Sequence, residues 1–178
     1  MNIFYLHANP QLCAEQHVDK HVVKMIVEYA QLLSTAHRLL DGVETVGISE
    51  SGRNVKRWQL PDERDAVLYH ATHRQHPSAL WTRASQDNYQ WLYRLFECLL
   101  AEYTFRYGKI HATARLTQAL QQSPNHIDRF GEFTEPTPAM PDEYKVSGYG
   151  IQSYRNYYLG AKSQLFSWKN RPIPDWIS

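Results

Sequence analysis

Apolar positions along the chain recur at helical spacing over most of its length. From about Leu12 to Leu40, Val18, Val22, Met25, Ile26, Tyr29, Ala30 and Leu33 fall three and four residues apart, which predicts one long amphipathic helix ending at Asp41-Gly42. Tyr89–Tyr107 repeats the pattern with Leu92, Phe96, Leu99, Leu100 and Tyr103, and Gly108 stops it. Shorter helical stretches are expected at Pro61–Ala71, Ala79–Ala84 and 112–122, with a last helix over Gly150–Phe166. Residues 3–6 are apolar and β-prone, with Asn9-Pro10 as the turn that follows them. Residues 43–65 show no strong period and read as a long loop carrying Arg53, Lys56 and Arg57. The stretch 123–148, with Pro124, Pro136, Pro138 and Pro141, is expected to wrap the surface in extended form. The expected architecture is mainly α: residues 1–178 as a single domain, a compact helical bundle with long irregular loops.

Composition narrows the function classes. Charged residues make up 21% and hydrophobic ones 43%, the balance of a folded chain rather than a disordered one. A net charge of +1 argues against a DNA coat protein or regulator, whose affinity comes from neutralising phosphates, yet leaves room for an enzyme with a local basic groove. Cys13 and Cys98 lack zinc spacing and read as buried free thiols. No apolar run is long enough to span a bilayer and the N-terminus lacks a basic leader, so no membrane partner and a cytoplasmic location are expected. The sequence is silent on oligomeric state.

Three constellations carry candidate chemistry. On an unbroken helix His17, Lys20, His21, Lys24 and Glu28 share one stripe about 100° wide, opposite the apolar face. Amines beside imidazoles depress one another's proton affinity, which suits proton transfer or an amine nucleophile, so His17, Lys20, His21 and Lys24 are the candidate catalytic groups. A solvated face is the competing reading of that stripe. His17 and His21, with His73 and His76 added, also make a possible zinc set, although neighbouring lysines oppose a cation; no other cofactor is expected. The second constellation is His73, His76 and Ser78 ahead of a helix start, with Arg83 and Asn88 beyond it, a candidate phosphate site. The third interleaves cations and aromatics near the C-terminus, among them Lys145, Arg155, Tyr158 and Lys169, which suits a nucleic-acid strand with stacked bases.

Short landmarks add a resemblance. Ala14-Glu15-Gln16-His17, the apolar Ile3-Phe4-Tyr5-Leu6-His7, Gln75-His76-Pro77, and Tyr154-Arg155-Asn156-Tyr157-Tyr158-Leu159-Gly160-Ala161-Lys162 occur in the same order as landmarks of the phage-type pyrimidine-dimer DNA glycosylases of the endonuclease V family. The chain also resembles phage and bacterial proteins sharing the Asp19–Met25 block. The resemblance implies DNA as partner and chemistry on a damaged or modified base, by glycosylase-like or base-modifying transfer. That family uses an α-amine exposed by removal of Met1. Here Asn2 retains Met1, and the position of the family's glutamate falls near Lys24. The implied substitute is Lys20 or Lys24 as amine, with His17 or His21 as acid or base. Two competitors are a metal-dependent helical hydrolase and a non-catalytic module binding a partner through the proline-rich 135–141 segment or the aromatic C-terminus.

Overall fold

The computed structural model describes residues 1–177. Among them the chain is mainly helical, with one two-stranded antiparallel hairpin. Two long helices, α2 (Asp19–Asp41) and α5 (Gln86–Tyr107), pack on each other and form the spine. α1 (Pro10–Gln16) lies against α5, α4 (Pro77–Thr82) against α2, and α7 (Gly150–Ala161) closes over the N-terminal segment. The α5 boundaries follow from local chemistry. Ser85 accepts the Asn88 N–H as N-cap, and Gly108 at φ 64° supplies the left-handed stop.

The expected helix from Leu12 to Leu40 is two helices broken at His17 and Val18, both extended. The break is held by groups distant in sequence. Arg106 Nη1 donates to the His17 carbonyl and Nη2 to that of Glu15, while Trp168 Nε1 donates to the Gln16 carbonyl. The carbonyls orphaned at the end of α1 are thereby satisfied, as a buried helix end requires. Residues 43–65 are not a long loop. Val43–Ile48 (β1) pairs with Asn54–Gln59 (β2) in unbroken register from Val43–Gln59 to Ile48–Asn54, and α3 (Arg64–Val67) is all the helix that forms within 61–71. Arg38 Nη1, from α2, donates to Trp58 O and reaches the Asp65 carboxylate, which fastens the base of the hairpin to α2.

Residues 3–6 form no strand. Ile3, Phe4, Tyr5 and Leu6 are a buried strap with a tight turn in which Leu6 N–H donates to Phe4 O, and side chains satisfy further backbone groups: Phe4 N–H donates to Tyr29 Oη, and Arg155 Nε donates to Leu6 O. The 112–122 stretch is a 3-10 turn at Ala112–Leu116 followed by α6 (Thr117–Leu120), and the last helix ends at Ala161 with a further turn at Ser163–Leu165. The 123–148 segment is irregular apart from a turn at Asp142–Tyr144. Both cysteines are free, Cys13 buried and Cys98 half-buried. No described helix is long and apolar enough to cross a membrane.

Candidate functional site

The break before α2 redistributes the expected stripe. His17 is fully buried, outside the helix. A carbonyl only accepts, so the 2.7 Å contact makes Nδ1–H the donor to Cys13 O, and Nε2 accepts the Tyr29 O–H at 3.2 Å. Burial, reinforced by Arg106, pushes its pKa down to about 4. His21 is also buried, stacked on Phe4 with centroids 4.3 Å apart, its Nδ1 2.7 Å from Tyr158 Oη. Burial first, then the charges of His17, Lys162 and Lys24, push it down to about 3. Lys20 and Lys24 point outward. The stripe is therefore divided, with its imidazoles in the core and its amines outside.

A different set converges at the outer face of α2. Glu28, one turn beyond Lys24, is largely covered by its surroundings. Its Oε1 lies 3.2 Å from Lys24 Nζ and its Oε2 3.9 Å from the Met1 nitrogen. The strap Ile3–Leu6 delivers Met1 there, and Ser78 Oγ donates to the Met1 carbonyl at 3.4 Å. His76 completes the group. It caps α4, with Nδ1 accepting the Ser78 N–H at 3.2 Å, so the ring proton resides on Nε2. Burial lowers its pKa, followed by the positive charge of the Met1 nitrogen and of His73, with Glu28 opposing. His73 sits beside it at φ 47°, a left-handed conformation uncommon for a residue with a side chain. Two amines, a carboxylate and a neutral imidazole thus share one partly covered site, on which the first and second constellations meet at Lys24, His73 and His76.

The remaining candidates have structural partners. Ser78 is buried and its amide is already taken by His76. Arg83 donates to the carbonyls of Arg74 and Ala79. Asn88, buried, donates to Trp81 O and accepts Thr134 N–H. The C-terminal set is dispersed. Tyr158 is in the core on His21, Arg155 lies over Trp176, Lys169 over Tyr107, and Lys145 pairs with Asp142 in solvent. His17, His21, His73 and His76 do not come together, and among the described residues no group of three or more His, Cys, Asp or Glu is placed to hold a metal.

From Lys24 an aromatic band leads to α7. His21, Phe4 and Tyr157 lie in near-parallel layers, the last pair 6.4 Å apart at 14°. Lys162 Nζ stands 4.7 Å above Tyr157, and Tyr144 packs beside it. Glu28 and the Met1 nitrogen were the groups the sequence reading did not single out as functional. Their signal was present: Glu28 belongs to the stripe, and an apolar run at residues 3–6 has to be buried somewhere.

No protein-family model, curated protein or solved structure matches this chain.

Proposed function

We propose that the chain is a DNA-acting enzyme that works on a damaged or modified base through an amine nucleophile, with the Glu28 site as its chemical centre. The observation that carries this reading is the convergence on one partly covered carboxylate of two amines, Met1 and Lys24, next to the neutral imidazole of His76.

The parts suit displacement at a sugar C1′. A neutral amine nitrogen forms a bond to C1′ while the glycosidic bond breaks. The base departs with that electron pair and takes its proton from solvent water, with His76 Nε2–H available to donate a hydrogen bond to it. Glu28 accepts the proton that the attacking nitrogen sheds and returns it to the ring oxygen O4′ as the C1′–O4′ bond breaks, so the product is a ring-opened imine with the sugar. Either Lys24 or Met1 can supply the nitrogen, and the other then stands as a cation for the adjoining phosphate. Tyr157, half-buried with Lys162 over its ring, is where the aromatic band reaches the surface, and a cation beside an aromatic ring there suits an unpaired strand. The resemblance to pyrimidine-dimer glycosylases points the same way, and a DNA substrate accords with a cytoplasmic location. A zinc-dependent hydrolase loses its support, because its four histidines are apart.

The test is incubation with plain, ultraviolet-irradiated and hypermodified duplexes, with and without borohydride. The expected result is base release and a borohydride-trapped adduct mapping to Met1 or Lys24, both abolished in a folded Glu28→Gln variant. No base release, adduct or mass change on any of the three substrates overturns the proposal.

A further inference from the structure

We infer that the β1 edge of the hairpin is a self-association surface, on which a second copy of this chain adds its own β1 to form a four-stranded sheet.

Ser49 N–H donates to Arg53 O at 2.8 Å, which fixes the alternation of the ladder. Thr45 and Gly47 turn their backbone groups toward β2. Glu44, Val46 and Ile48 turn theirs outward, and among the described residues no other backbone group pairs with them. Two-stranded sheets are marginal alone, and an unpaired edge is a template for another strand. Folded proteins blunt such edges with lysine, proline or a bulge, and β1 (Val-Glu-Thr-Val-Gly-Ile) has none of these.

The two edges of the hairpin are not equivalent. On the β2 side the Trp58 carbonyl is capped by Arg38 and the exposed Lys56 guards the strand. On the β1 side Val46 and Ile48 are 75% and 66% exposed on the same face. That leaves apolar side chains and unpaired backbone groups together on one edge.

The occupant follows from register. Two copies of one strand meet antiparallel about a two-fold axis normal to the sheet, and outward-pointing residues must then face each other. Centred on Val46, the pairing sets Val46 against its counterpart, Thr45 against Gly47 of the second copy, and Ile48 against Glu44 of the second copy. Four aliphatic side chains, Val46 and Ile48 from each copy, gather on one face, and no two like charges stand directly opposite. Lys56 stays in reach of Glu44, with which it pairs at 2.7 Å. A six-residue edge covers less than the roughly 1,200 Å² of a standard interface, so the dimer is weak and reversible.

Sedimentation equilibrium across a concentration series, with amide hydrogen exchange at both ends of it, tests this. A monomer–dimer equilibrium is expected. On dimerisation the amides of Glu44, Val46 and Ile48 slow about tenfold, while those of Thr45 and Gly47, already bonded to β2, change little. Val46→Pro removes only an outward N–H, and Val46→Lys sets like charges directly opposite each other at the axis. Each is expected to weaken the dimer at least about tenfold with an unchanged circular dichroism spectrum. A monomer at every concentration overturns the inference. So does a dimer indifferent to both variants, or protection of those three amides that appears only when duplex DNA is added to a monomer. None of these outcomes touches the chemistry proposed at Glu28.

Discussion

Lowering the pH tests the assignment of three histidines to the interior. His17 and His37 are fully buried and His21 nearly so, and their pKa values fall from 6.5 to about 4, about 4 and about 3 respectively. Each depression has a hydrogen-bond logic as well as burial. His37 Nε2–H donates to Tyr89 Oη, which in turn donates to Leu120 O, so Nδ1 is left to accept from Arg64 Nη1 at 2.9 Å. A proton on Nδ1 would set two donors against each other beside a guanidinium. His17 is in the same position, since protonating Nε2 opposes it to the Tyr29 O–H.

The folded-state values lie below the unfolded one. Unfolded chains therefore bind more protons, and the stability is fully present above about pH 6.5 and drains away as pH falls toward 4. Each imidazole contributes about 1.4 kcal/mol per pH unit in that window, so three give a slope of roughly 4 kcal/mol per unit. By about pH 4.5 the loss is roughly 8 kcal/mol, comparable with the whole stability of a typical domain. The depressed carboxylates Asp19, Asp41 and Asp65 act in the same direction only below their ordinary range, near pH 4, and so do not confuse the window. Urea unfolding followed by tryptophan fluorescence at steps between about pH 7.5 and 4.5 measures the slope directly. His37→Gln should lower it by about 1.4 kcal/mol per unit. A slope under that of one proton, about 1.4 kcal/mol per unit, would refute the assignment of these imidazoles to the core.

Other perturbations separate framework from chemistry. Arg106→Met leaves Glu102 and Asp19 short of their buried partner and should cost about 3–5 kcal/mol in thermal or urea unfolding. Asn88→Ala leaves the Thr134 amide without its acceptor and should cost about 1–3 kcal/mol, with faster proteolysis near residue 134. Lys20→Ala, at an exposed position, should alter stability by no more than about 0.5 kcal/mol and leave base release and adduct formation intact.

Much of the helical framework was legible in the sequence. α5 is read to the residue at its end, because its periodicity and its Gly108 stop are local, and begins at Gln86, ahead of the expected Tyr89. The hairpin was not, and for a physical reason. Binary alternation marks a strand when one face is buried, whereas here residues on both faces of β1 stand in solvent, so Val43-Glu44-Thr45-Val46 reads as noise. The break at His17–Val18 was equally hidden, since the groups that hold it, Arg106 and Trp168, lie far along the chain. A helical wheel assumes continuity, and one interruption turned His17 into the core.

The same hydrophobicity that misled the strand assignment at residues 3–6 accounts for the candidate site. Four consecutive apolar residues cannot stay in water, and without a sheet to join they bury between α2 and α7. Phe4 there is layered between His21 and Tyr157, and its N–H is satisfied by Tyr29. Once Phe4 is pinned, Met1 lies three residues back along the same face of α2. The only acidic group of the stripe on that face is Glu28, so the amine–carboxylate pair follows from the packing of the strap. Burial of the imidazoles and convergence of the amines on Glu28 are thus two consequences of one event. A substitution such as Phe4→Ala that loosens the strap should disturb the His21 environment and the Glu28 site together.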